Sequence, residues 1–281
     1  MLGALVGDVA GSYFAEHKTF SRRVELIHDE AAFTQNTLLA AALCELYYYT
    51  DKPAQTRIER FFRAREVAGE YKKYALRFTE KLGGVELAWA KQAGMTREVN
   101  ITAAAAVAAL PCAYAFDEPD VIFAQAQLAC KYLFNSDTAR DCAKAAAAGV
   151  YLLRHGCEKE DLAAAASELS GFALEGDLGE LADKMTTECT PQDVISAGFA
   201  AFASADSFEL AVKRACTLGT YPHISAALAG AFGEIYYGGV PEKLLHFARE
   251  KTDPTVLRPI ERFSEKYAAR RIAEYFLHHY K

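Results

Sequence analysis

Residues 102–109 read Thr-Ala-Ala-Ala-Ala-Val-Ala-Ala, and two further windows, Ala143–Ala148 and Ala163–Ala166, carry the same bias. Alanine loses no side-chain entropy on entering a helix, so such runs are strong local helix signals. Around them apolar residues recur at three- and four-residue spacing, while alternating β-branched runs of strand length are scarce. The expected fold class is therefore all-α. Small residues let helix axes approach closely, which suits a compact many-helix globule whose helices are buried on several sides.

Turn residues fall where such a fold needs them. Asp51-Lys-Pro53, Gly83-Gly84, Asp117-Glu-Pro119, His155-Gly156, Thr190-Pro191 and Gly238-Gly-Val-Pro241 all lie between periodic segments, at expected turns and helix starts. No internal repeat recurs at a fixed period. The uncharged run from Val99 to Phe116 raises the question of a membrane span, but it holds Asn100, Thr102 and Pro111 and is mostly alanine, so a buried helix is expected.

The chain has 281 residues, and no Pro/Gly/Ser-rich or single-charge stretch divides it. One domain spanning 1–281 is expected. A formal net charge of -6 argues against nucleic acid as a partner. The start Met1-Leu-Gly has no basic segment and Asp8 interrupts its apolar run, so no signal peptide is expected and the reading is cytoplasmic. The seven cysteines include no C-x-x-C pair and sit mostly in apolar helical contexts, which predicts reduced core thiols.

Two stretches carry candidate chemistry. Gly3-x-x-x-Gly7-Asp8-x-x-Gly11-Ser12 places three glycines on one side of a first helix, either for close helix packing or for backbone clearance beside a ligand. Phe33-Thr34-Gln35-Asn36-Thr37 then enters a second apolar helix.

Together with Val24-Glu-Leu-Ile27, these stretches resemble the start of the ADP-ribosylglycohydrolase family, of the dinitrogenase reductase-activating glycohydrolase kind. The likeness continues through Gly83-Gly84, Trp89, Asn100 and the alanine-rich helix ending near Arg154. It is best in "VISAGFAAFASADSFELAVKRACTLG" followed by "ISAALAGAFGEIYYGGVPEKL". The resemblance implies an all-α scaffold and two magnesium ions, held by a Thr-Asp-Asp-Thr stretch and a later Asp-x-Asp-Thr stretch. Mg²⁺ wants octahedral oxygen ligands, usually with carboxylates to offset its charge, and such a pair would bind ribose hydroxyls and orient a water.

Here the first motif reads Thr34-Gln35-Asn36-Thr37, and the second aligns with Tyr221-Pro222-His223-Ile224. Amides keep a carbonyl oxygen but no charge, and phenol and imidazole are poor magnesium ligands. Other family positions differ as well. The glutamate expected after the opening Gly-Ser falls on Ala15, with Glu16 beside it; Val99 and Ile101 flank Asn100; Ala104-Ala105 replace a Met-Arg pair; the loop Leu133 to Thr138 has no histidine. The expectation is a degenerate member, a pseudoenzyme without the family's Mg²⁺ pair.

On that reading Thr34, Gln35, Asn36, Thr37, Asn100, Ser136, Tyr221 and His223 line a ligand pocket, with no metal ligand assigned. The expected partner is an ADP-ribose-like small molecule or a protein such as an ADP-ribosyltransferase that the chain would counter. The alternative is an active hydrolase of ADP-ribosyl or related N- or O-glycosidic bonds with an altered metal site, for which Glu16, Asp8 and Asp137 are the available acids and bases. A zinc variant would add His223 to those carboxylates, although the seven histidines show no H-E-x-x-H spacing. Two surface features complete the reading. Arg57, Arg60 and Arg63 share a helical stripe, read as the basic outer face of an amphipathic helix, and Tyr47-Tyr48-Tyr49 closes an apolar helix.

Overall fold

A computed structural model describes residues 1–19, 21, 23–92, 102–134 and 136–279. Among these there are fourteen α-helices and no strand: α1 (Leu2–Glu16), α2 (Gln35–Tyr49), α3 (Arg57–Arg77), α4 (Gly84–Lys91), α5 (Ala104–Ala115), α6 (Pro119–Cys130), α7 (Asp137–Arg154), α8 (Leu162–Ser170), α9 (Leu178–Thr187), α10 (Pro191–Ala203), α11 (Phe208–Cys216), α12 (Pro222–Tyr236), α13 (Glu242–Glu250) and α14 (Pro254–His279). The all-α expectation holds. Part of its reason is local: several of the helices begin where a capping side chain stands. Thr56 caps α3 in a reciprocal box with Glu59, Ser136 caps α7, and Thr190 caps α10 with Asp193. Pro119, Pro191 and Pro222 occupy first-turn positions, where a missing N–H costs nothing.

The centre of the molecule is formed by α1, α2, α5 and α12, which bury most of their length. A helix enclosed on all sides needs no polar stripe, and α5 contains no charged residue. The uncharged run is thus a core helix over its described part, and among the described residues no helix is long and apolar enough to cross a membrane. One continuous apolar cluster runs from Met1 to Tyr267.

The tightest pairing is α1 against α12. A Cβ built on Gly3 would stand 2.1 Å from the Gly230 carbonyl oxygen, on Gly7 1.9 Å from that of Ala226, and on Gly11 2.5 Å from Cα of His223. No side chain fits there. Close helix packing, rather than clearance for a ligand, is what these three glycines provide, and at Gly11 the packing fixes where the first turn of α12 sits.

All seven cysteines are free, with Cys44, Cys112, Cys130, Cys142 and Cys216 buried, in keeping with core thiols. The arginine stripe is corrected. Arg57 and Arg60 are exposed but Arg63 turns inward, where Nε donates to Glu66 at 2.9 Å, Nη2 donates to the Lys52 carbonyl at 3.3 Å, and the guanidinium lies over the Tyr47 ring. Its aliphatic stem and planar head fill space beside Tyr47, so the third member of the stripe belongs to the core edge.

Candidate functional site

Asp8, on the buried face of α1, is fully enclosed and points at the first turn of α2. Its carboxylate accepts four hydrogen bonds. Thr34 donates its backbone N–H at 2.8 Å and its hydroxyl at 2.7 Å, Thr37 donates its hydroxyl at 2.6 Å, and Asn36 donates its side-chain amide at 3.3 Å. Thr34 in turn caps α2, its Oγ1 accepting from the Asn36 N–H at 3.1 Å. An anion set against a helix N-terminus gains from the N–H groups and the dipole together, and here the protein supplies that anion itself.

The orientation of the Asn36 amide is dictated by this network: reversed, its oxygen would face the Asp8 carboxylate. Its Oδ1 consequently points elsewhere and has no partner although buried. A buried acceptor without a donor is costly and calls for an explanation.

On the α12 side, Tyr221 caps the helix with φ 53 and ψ 45, the one non-glycine residue with positive φ among those described. Left-handed backbone at a bulky residue is strained and persists only where its surroundings impose it. The turn leaves the Tyr221 ring partly exposed and His223 half-buried at the cleft wall. Nδ1 of His223 is buried without a partner. Burial pushes the imidazole pKa below its ordinary value, and the Asp8 charge works against that shift. Two orphaned polar atoms, Asn36 Oδ1 and His223 Nδ1, thus belong to residues that each interact with Asp8.

A cleft of about 380 Å³ opens above this corner. Thr34, Gln35, His223 and Glu16 reach its wall, and Ala15 does too, so the expected glutamate position and its neighbour both face the same space. Asn36, Thr37 and Asp8 are buried in the layer beneath. Tyr13 and Phe33 form aromatic walls. Tyr13 is sandwiched between His28 at 3.6 Å and His17 at 4.2 Å, while Phe33 meets Phe78 edge-on at 5.7 Å and carries the Lys81 ammonium 4.5 Å from its centroid. Glu30, which pairs with His17 at 3.2 Å, and Glu80 complete the charged rim.

The remaining candidates stand elsewhere or outside the description. Ser136 caps α7 by accepting from the Ala139 N–H at 3.1 Å, and Asp137 is exposed and paired with Arg140. Neither is among the residues lining this cleft. Asn100 lies outside the described residues. Sequence reasoning missed Tyr13, His17, Glu30, Glu80 and Lys81. Lys81 and Glu80 carried a signal in their place just before the Gly83-Gly84 turn; Tyr13 and His17, at the end of α1, and Glu30, in the loop before α2, face the cleft only because of how those segments are packed, which no periodicity encodes.

Among the described residues no three His, Cys, Asp or Glu side chains converge as a metal site would require. The one carboxylate inside the corner, Asp8, has its acceptor positions taken by protein donors.

The family model for ADP-ribosylglycohydrolase matches residues 1–275, and the chain belongs to that family. Among solved structures it is similar to a chain of an ADP-ribosylglycohydrolase-related protein complex, with a TM-score of 0.58 and 18% identity over 94% of this chain and 96% of that one. At that identity the likeness speaks for the fold alone. A comparison with curated proteins finds no match.

Proposed function

We propose that this chain is a non-catalytic member of its family that uses the cleft above Asp8 to hold a nucleotide-like ligand. The observation that carries this reading is the hydrogen bond from the Asn36 amide to Asp8. It places a neutral donor where the family pattern has a second carboxylate, and it occupies an acceptor position of Asp8 that a cation would otherwise take. Residues 34–37 and 221–224 contribute hydroxyl, amide, phenol and imidazole but no carboxylate, a donor set that does not fit a Mg²⁺ pair. Two Asp8-linked polar atoms without partners and an ammonium at Lys81 support recognition of a sugar phosphate. In this role the protein would sequester ADP-ribose or occlude an ADP-ribosyltransferase product.

Calorimetric titration of ADP-ribose with and without Mg²⁺ tests the proposal. Binding indifferent to Mg²⁺ is expected; Mg²⁺-enhanced binding would overturn it.

A second reading, an altered hydrolase, is favoured by one observation: Glu16, Glu30 and Glu80 all line the cleft that His223 reaches. Paired carboxylates flanking a glycosidic bond are the usual machinery for its hydrolysis. All three are exposed and Glu30 is engaged with His17, which is why this reading comes second. Release of ADP-ribose from a modified peptide, lost in Glu16→Gln, would place it first.

A further inference from the structure

A second cavity, of about 260 Å³, lies at the opposite end of α2 from Asp8. The two ends are separated by the length of the helix, about 20 Å for its 15 residues. Its walls come from three elements distant in sequence: the end of α2, the end of α3 and the first turns of α14. Lys73, Arg77, Arg258 and Arg262 bring four cations to it, against the single carboxylate of Glu45.

The ion pairing is lopsided. Glu45 accepts from Lys73 at 2.9 Å and from the Tyr74 hydroxyl at 2.9 Å, and Lys73 also reaches Glu70 at 3.1 Å. The lone acid and one of the four cations thereby satisfy each other. Arg258 and Arg262 have no side-chain ion pair or hydrogen bond among the described residues, while Arg77 lies over the Phe78 ring at 5.7 Å and its charge acts on Asp253 without closing an ion pair. Arg258 and Arg262 stand at i and i+4 on one face of α14, an arrangement that like charges disfavour, and Arg77 faces the same cavity from α3.

The other walls are aromatic. Tyr48 and Tyr49 line the cavity, their rings edge-to-face at 5.0 Å, and Tyr49 is 70% exposed. Lys266 ties the carbonyls of Tyr47 and Tyr48 at 3.4 and 2.8 Å, so the carbonyl end of α2, normally repulsive to an anion, is already neutralised from the side.

We propose that this cavity is a binding site for a phosphorylated small molecule carrying a planar ring. Guanidinium groups match phosphate oxygens in bidentate geometry, and the convergence of Arg77, Arg258 and Arg262 supplies three such forks, of which only Arg77 is partly engaged, by the Phe78 ring and the Asp253 charge. The exposed Tyr49 ring supplies a stacking surface for the planar ring, Tyr48 being covered by the Lys266 ammonium. The site is independent of the cleft above Asp8 and does not rest on the function proposed for it.

Titration calorimetry at low ionic strength with inorganic pyrophosphate and with ADP tests the proposal. Both should saturate at one equivalent per cavity. The double variant Arg258→Ala/Arg262→Ala should weaken pyrophosphate at least about tenfold, and Tyr49→Ala should weaken ADP while leaving pyrophosphate unchanged. Arg258 and Arg262 are exposed, so an unchanged thermal transition establishes that the double variant is folded. Absence of saturable binding, equal affinity in the double variant, or loss of pyrophosphate binding in the cleft variant Lys81→Ala instead would overturn the site. ADP binding insensitive to Tyr49→Ala would overturn the assignment of a ring-bearing ligand.

Discussion

The Asn36 side-chain amide donates to the Asp8 carboxylate across 3.3 Å, from the first turn of α2 to the middle of α1. This contact joins elements 28 residues apart in sequence and determines the electrostatics of the corner. Asn36→Asp would put a second carboxylate in its place. It removes a hydrogen bond to a charged group and sets two like charges together in a buried site, with an expected loss of about 2–4 kcal/mol at neutral pH. The pair would share a proton, so the folded state binds more protons than the unfolded one. Stability of the variant should therefore recover as pH falls from 7 toward 5. Urea unfolding midpoints at the two pH values measure this, and added Mg²⁺ should raise the midpoint of the variant but not of the wild type.

The glycine ladder gives a contrasting pair. Gly7→Ala would place a Cβ 1.9 Å from the Ala226 carbonyl oxygen. Backbone cannot yield there without separating α1 from α12, so a loss of about 3 kcal/mol or more is expected, reaching failure to fold. Gly69 lies within α3 with nothing within 4 Å of a new Cβ. Gly69→Ala should instead stabilise by about 0.5–1 kcal/mol, because alanine costs less entropy in a helix. Thermal melts of the two variants should move in opposite directions.

The helical class and most helix starts were legible in the sequence because their causes are local. Alanine windows, Thr190-Pro191 ahead of α10 and Asp117-Glu-Pro119 ahead of α6 act within a turn of themselves. Asp8 was legible as a candidate from its glycine neighbours, but not as the anchor of α2, since its four bonds span 26 to 29 residues. Arg63 looked like surface because helical spacing sees the stripe and not Tyr47 behind it. The cleft acids Glu30 and Glu80 come from loop and turn segments, and the basic cavity unites Arg77 with Arg258 and Arg262. Both are products of chain reversal, which spacing along one helix does not encode.

Thiol accessibility should track burial. Cys157 and Cys189 are half-buried, whereas the other five are buried, with Cys142 pushed up to about 12 by desolvation. The thiolate is the reactive species. A disulfide reagent at pH 8 should therefore label at most Cys157 and Cys189 in the folded protein, with Cys189, itself pushed up to about 11, reacting slowly. All seven should react in denaturant. Fast labelling of a third thiol before unfolding would contradict the packing around α2, α5 and α7.

His223 links the corner to pH. Burial lowers its pKa from 6.5, with the Asp8 charge only partly opposing that effect. Just below 6.5 the unfolded chain therefore binds a proton that the folded chain resists. Stability rises with pH wherever the unfolded state holds more protons. This contribution is fully present above about pH 6.5 and declines as pH falls toward the lowered folded value. His223→Asn removes the titration while keeping a polar side chain over Gly11. Comparing unfolding free energies of wild type and variant between pH 7.5 and 5.5 isolates the effect: the difference between them should change with pH, the wild type losing more on acidification. A parallel pair of curves would mean that the imidazole is reached by water and that the wall between cleft and core at His223 is open.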